Sequence, residues 1–285
     1  MNDIYNQQSQ NHKTAISHLS TSRPMTLPII PPDFRDTDVQ QFGYVNLEIN
    51  GCHAVAREWA ASAVAQALTA GTLHQWAARQ PVREEMRGRG VIYSVDLPTI
   101  PATPVVVRRN RHGGLLHGLT GEYFLAPTRA PFELATSLRL AAAGIPTPEV
   151  IAYAIYPAAG IFARSDVMTR RLPEGDDAPA AWKNTSKADR DPLLVAVARL
   201  LNALANAGAW HADLNLKNIY IAVTGTGPTA YLLDVDRVTF PGGSGIAARN
   251  FARLARSARK WRTRRGLDFD EDSLARLACL AEENK

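Results

Sequence analysis

At 285 residues, 46% apolar and 21% charged, the chain has room for one large or two small lobes around a sizeable core and reads as globular and soluble. A net charge of +5 and a pI of about 9.4 favour an anionic partner, whether nucleic acid, nucleotide, phospholipid or phosphorylated glycan. The two cysteines, Cys52 and Cys279, stand far apart and outside any CxxC, which excludes a disulfide framework and a zinc site and suits a reducing compartment.

Met1 to Ser22 is polar and lacks the apolar core of a signal peptide. With the Pro-rich piece from Pro24 to Pro32 it makes residues 1–43 an extension expected to be disordered or loosely attached. Tyr44 to Asn50 alternates Val45, Leu47 and Ile49 with polar residues, a strand pattern. From His53 to Ala78 the Ala-rich chain sets Val55, Trp59, Val64, Leu68, Leu73 and Trp76 at roughly helical spacing, which predicts one or two helices broken at Gly71. Gly88 and Gly90 then stand between strand-like residues, in a turn whose backbone N–H groups can approach phosphate oxygens because no Cβ intervenes. An ordinary hairpin has the same composition.

Pro104 to Arg108 follows as a β-branched strand and Arg109 to Gly114 as a basic turn. Phe132 to Ala143 reads as a helix with Glu133 in its first turn, Leu134, Leu138, Ala141 and Ala142 toward a core, and a stop at Gly144 and Pro146. Val150–Tyr156 and Gly160–Met168 form a predicted hairpin, followed by a linker from Thr169 to Gly175. Asp191 to Ala209 carries a continuous stripe of Leu194, Val197, Leu200, Leu201 and Leu204. Arg199, Asn202 and Asn206 keep that helix from spanning a bilayer. Strands are expected at Ile219–Val223 and Ala230–Leu233 around a turn at 224–228, and helices at 247–263 and 270–283.

Between the long helix and the second hairpin lies Trp210-His211-Ala212-Asp213-Leu214-Asn215-Leu216-Lys217-Asn218, and the hairpin ends in Leu233-Asp234-Val235-Asp236. An Asp with an Asn five places on, then a hairpin ending in an acid, is the layout of a phosphoryl-transfer site on a kinase fold. Such chemistry needs a hydroxyl held in line, metal on the phosphates and positive charge around them. Asp213 is the candidate base, Asn218 and Asp234 the candidate Mg²⁺ ligands, with Asp236 as the alternative to Asp234, and His211 the prop of the loop. Taken singly, Asp213, Asn215 and Asn218 are also ordinary turn formers. Arg108 stands on the strand after the Gly turn where a phosphate-contacting cation belongs, and Glu133 either pairs with it or answers the helix dipole.

These motifs resemble the lipopolysaccharide kinase family, and within it the kinases of 3-deoxy-D-manno-octulosonic acid (Kdo). The likeness is carried by Gly88-Arg89-Gly90 with Val91 to Val95, Val107-Arg108, Gly113-Gly114 and Glu133 with Gly144-Ile145-Pro146-Thr147-Pro148. It continues through Thr169 to Pro173, His211-Ala212-Asp213 with Asn218, Leu233 to Arg237, and Asn250 through Lys260. It implies an α+β, bilobal, protein-kinase-like fold with a β-rich small lobe holding one helix (44–170) and a mostly helical large lobe (171–285). It further implies ATP and Mg²⁺ as cofactors, with Gly88, Gly90, Arg108 and Glu133 binding the nucleotide, and a Kdo-bearing lipid A precursor or lipopolysaccharide core as acceptor. The implied location is the cytoplasmic face of the inner membrane. Nucleic acid is then not the expected anion.

Val235 replaces the aromatic usual in that Asp-x-Asp step and His112 replaces a basic residue, which leaves the acceptor open to a heptose, another small molecule or a protein, or the fold to a non-catalytic sensor. Arg249, Arg253, Arg256 and Lys260 recur on one helical face, either against anionic lipid or as a solvated surface.

Overall fold

The computed structural model describes residues 36–87, 90–110, 124–125, 128–158 and 162–283. Residues 1–35, Gly88, Gly160 and the turn from Arg111 to Gly114 with His112 lie outside the described residues. Alternating apolar residues build an antiparallel sheet of eight strands among the described residues. They are β1 (Tyr44–Ile49), β2 (Cys52–Arg57), β3 (Glu84–Arg87), β4 (Val91–Leu97), β5 (Thr103–Arg109), β6 (Phe124–Leu125), β7 (Val150–Pro157) and β8 (Phe162–Arg170). Seven run in the order β1-β2-β7-β8-β5-β4-β3, and β6 pairs with β8.

The two-residue period of a strand decides what lies on each face. Ala54, Ala56, Val105, Val107 and Met168 pack against Val64 and Leu68 of α1 (Ala61–Thr69) and Leu73 and Trp76 of α2 (Leu73–Ala78). The alternate residues Val55, Tyr153 and Val167 pack on the opposite face with Val39, Phe42 and Leu134 of α3 (Ala130–Ala142). Arg108 follows Val107 and therefore projects on the α3 side.

Three expectations are corrected here. His53–Arg57 is strand β2, not helix: Asn50 (φ 51) and Gly51 (φ 73) form a two-residue hairpin turn that needs positive φ at both positions. That Asn-Gly signal outranks the Ala-rich spacing, and α1 and α2 join α3 on the sheet. Residues 36–42, assigned to the extension, form a 3-10 segment whose Val39 and Phe42 are core. Ala141 and Ala142 are exposed, because Leu140 and Ile145 close that end of α3 instead.

The large lobe follows a short link at residues 171–174. Its elements are β9 (Gly175–Asp177), α4 (Ala178–Asn184), α5 (Asp191–Asn206), β10 (Trp210–His211), β11 (Ile219–Thr224), β12 (Gly227–Leu232), β13 (Val238–Thr239), α6 (Ile246–Arg265) and α7 (Glu271–Glu283). The expected turn at 224–228 shortens to Gly225 and Thr226, since Thr224 still pairs with Gly227. Helix α5 buries Leu194, Val197, Leu200, Leu201 and Leu204 against α7 and the β11–β12 hairpin. Leu140 and Ile145 at the end of α3 belong to the same core, and Leu232 N donates to Pro146 O at 2.8 Å. The segment that carries Glu133 is thus anchored in both lobes. No helix among the described residues is long and apolar enough to cross a membrane.

Candidate active site

The loop with Asp213 is closed at its base by two strands, Trp210 pairing with Thr239 and His211 with Val238, and Ala212 N donates to Arg237 O at 3.0 Å. His211 is fully buried. Its Nδ1 accepts from Asp213 N at 3.1 Å, so Nε2 carries the hydrogen toward Leu233 O at 3.5 Å. Burial holds this imidazole below the usual histidine range, against the pull of Leu233 O, Asp234 and Asp213. The Asp213 carbonyl accepts from Asn215 Nδ2 at 3.0 Å and from Asn218 Nδ2 at 2.9 Å, which leaves the Asn218 Oδ1 as the end of that amide suited to a cation. Asn218 O in turn accepts from Leu233 N at 2.8 Å. One short chain of hydrogen bonds therefore links Asp213, Asn218 and the residue before Asp234.

Asp234 adopts the left-handed conformation (φ 57, ψ 47), turning the chain out of β12 into the 3-10 turn Val235–Arg237. For a residue with a Cβ this conformation costs about 1 kcal/mol or more. It brings Asp234 and Asp236 together. Burial and the neighbouring Asp234 push the Asp236 carboxyl up to about 6, and its Oδ1 is buried with no hydrogen-bond partner among the described residues. Its Oδ2 accepts from Arg129 at 3.1 Å.

Facing this pair is Arg108, hydrogen-bonded to the buried Glu133 carboxylate and, at 2.9 Å, to Asn110 Oδ1. Burial alone would lower its pKa, but Glu133, Asp234 and Asp236 together raise it, which fixes the guanidinium as a cation amid three acids. Asp213, Asn218, Asp234, Arg108 and Glu133 are thus gathered at the junction of the lobes. Gly90 immediately precedes β4, while Gly88 is outside the described residues.

On the other side of Asp213, its Oδ1 accepts from Arg253 of α6 at 3.0 Å. Beside this pair opens a cavity of about 550 Å³ lined by Asp213, Arg256, Lys260, Trp261, Arg264 and Arg265, among others.

The model of the lipopolysaccharide kinase (Kdo/WaaP) family matches residues 73–272. The chain belongs to the lipopolysaccharide kinase family. The Kdo kinase of Vibrio vulnificus strain YJ016 is 30% identical over 210 residues, covering 71% of this chain and 84% of the relative. That of Xanthomonas campestris pv. campestris strain B100 is 31% identical over 217 residues, covering 73% and 82%. Among solved structures, WaaP in complex with acyl carrier protein is 18% identical, covering 74% of this chain and 95% of that one at a TM-score of 0.42.

The kinase holds several site residues that sequence reasoning missed or misread. Arg129, just ahead of α3, reaches Asp236, and Asn110 steadies Arg108; neither type has a motif that flags it. Buried Asn250 bonds both sides of the loop base, its Oδ1 accepting from His211 N at 3.1 Å and its Nδ2 donating to Ala209 O at 2.9 Å. A lone Asn among the cations of α6 was the available signal. The basic stripe, expected to face either anionic lipid or solvent, also divides: Arg253 is turned to Asp213, Arg249 stacks on Trp210 at 4.0 Å, and Arg256 and Lys260 line the cavity.

Proposed function

We propose that this kinase transfers the γ-phosphoryl group of ATP to a hydroxyl of Kdo on a lipid A precursor or lipopolysaccharide core. The reading is carried by one observation, the gathering of Asp213, Asn218 and the Asp234–Asp236 pair opposite Arg108 and Glu133. Asp213 takes the hydroxyl proton. The acceptor oxygen then bonds to the γ-phosphorus as the bond to the bridging oxygen breaks, and that electron pair leaves with ADP. Arg108, kept in place by Glu133 and Asn110, meets the α- and β-phosphate oxygens, a contact suited to its forked donors. Gly88 and Gly90, by their place in the sequence ahead of β4, are the residues we assign to the phosphates.

Two adjoining carboxylates, one with a partnerless buried oxygen, and an amide oxygen make the hard donor set that suits Mg²⁺. Asp234, Asp236 and Asn218 would hold that ion, which when bound neutralises charge on the phosphates. Because the acceptor is lipid-linked, the enzyme works as a peripheral protein at the cytoplasmic face of the inner membrane.

Incubation with ATP, Mg²⁺ and a Kdo-bearing lipid A precursor, read by mass spectrometry, is expected to add one phosphate to Kdo. Transfer only to a heptose-bearing core would replace the acceptor, and transfer to neither would overturn the reading.

A further inference from the structure

Helix α6 holds eight of the chain's 32 basic residues and no acidic one. Some are spent on structure: Arg259 and Arg262 pair with Glu271 at 2.8 and 3.0 Å, and Arg249 stacks on Trp210. Arg256, Lys260, Arg264 and Arg265 have no carboxylate partner among the described residues, yet all four line the same cavity as Asp213. Like charges so close repel one another, and a concavity that gathers them lowers its energy by taking up anions. At about 550 Å³ the cavity is larger than one phosphate requires and falls in the range of small-molecule sites. The half-buried Trp261 gives its wall an apolar face on which the C–H side of a sugar ring can rest. Arg253, bonded to Asp213, ties this cavity directly to the candidate base.

We propose that the cavity between α6 and the Asp213 loop is the acceptor subsite for a saccharide that already bears phosphate or carboxylate groups besides the hydroxyl to be phosphorylated. This rests on the phosphotransfer reading of Asp213. Arg256, Lys260 and Arg264 set specificity by holding those anions, with Trp261 under the ring.

The experiment uses the full chain and the R256Q/K260Q double variant, with Arg259→Gln as control because its partner is Glu271 on α7. The double variant raises the acceptor KM at least about tenfold with the KM for ATP unchanged, while the control leaves the acceptor KM within about twofold. Equal effects in the two variants, or none, overturn the proposal. Calorimetric binding of a soluble bisphosphorylated disaccharide without ATP makes the test independent of turnover. If the wild type transfers no phosphate, loss of this binding in the double variant still supports the subsite, and unchanged binding sinks it. Phosphatidylglycerol-containing vesicles free of acceptor separate the lipid source. A double variant that loses vesicle binding but keeps its affinity for the soluble disaccharide assigns these cations to the bilayer and overturns the proposal.

Discussion

His211 is a histidine whose chemistry is set by two backbone groups. It has no access to solvent, and Asp213 and Asp234 favour its charged form while Arg253 and burial oppose it; burial prevails. The folded-state pKa lies below the unfolded value near 6.5, so below that pH the unfolded chain binds the extra proton. The stability this histidine contributes is complete above about pH 6.5 and is lost as the pH falls beneath it. Urea unfolding at about pH 7.5 and about pH 5.5 is expected to show a greater loss of stability in the wild type than in His211→Gln. Equal losses would mean that another group carries the acid sensitivity. For Asp213 the anchor of the loop is the carbonyl, not the carboxylate, since Asn215 and Asn218 both donate to the backbone oxygen. Asp213→Asn is therefore expected to keep its circular dichroism and melting temperature while kcat falls by about 10² to 10⁴. An active variant would remove Asp213 as the base.

Among elements, α6 supports the site through Asn250, which satisfies one backbone donor and one acceptor that would otherwise be buried unpaired. Asn250→Ala should cost about 2 to 4 kcal/mol in urea unfolding, with activity lost in parallel, and Asn250→Asp, which keeps only the acceptor, should fall between. At β9 the constraint is steric: a Cβ on Gly175 would sit 2.1 Å from Ile221 O, so Gly175→Ala must part β9 from β11. A melting temperature lower by several degrees, about 2 kcal/mol or more, is the expected reading, and an unchanged one would show that the strands separate freely. These two elements also mark what the sequence disclosed. The stripe on α5, the hairpin at β7–β8 and the run from His211 to Asn218 were legible because period and spacing are local properties. Helix α4 and all of strand β9 but Gly175 have no counterpart in the sequence reading, although Asp177 caps Ala180 N and Pro179 follows, because three residues of strand carry no period. Nor does spacing disclose a partner across the fold, which is why the sequence shows Arg253 only as one of a basic stripe, lipid-facing or solvated, and does not mark Arg129 at all.

At the scale of the whole molecule, the excess positive charge belongs to one helix. With the eight cations of α6 set aside, the other 24 basic residues are outnumbered by 27 acidic ones, so the basic pI describes a local field, not a uniformly basic surface. That field opens beside Asp213, whereas the charge of Arg108 is balanced by Glu133, Asp234 and Asp236 around it. Anionic acceptors should therefore be drawn to the enzyme by long-range attraction, and salt should weaken that attraction as the screening length shrinks to about 8 Å near physiological ionic strength. Raising NaCl from about 50 to about 300 mM is expected to lower kcat/KM for the acceptor about tenfold and that for MgATP much less. R256Q/K260Q should flatten the acceptor's dependence and leave the nucleotide's as it was. Should both substrates lose efficiency in parallel, the charge on α6 acts on the enzyme as a whole and does not steer the acceptor.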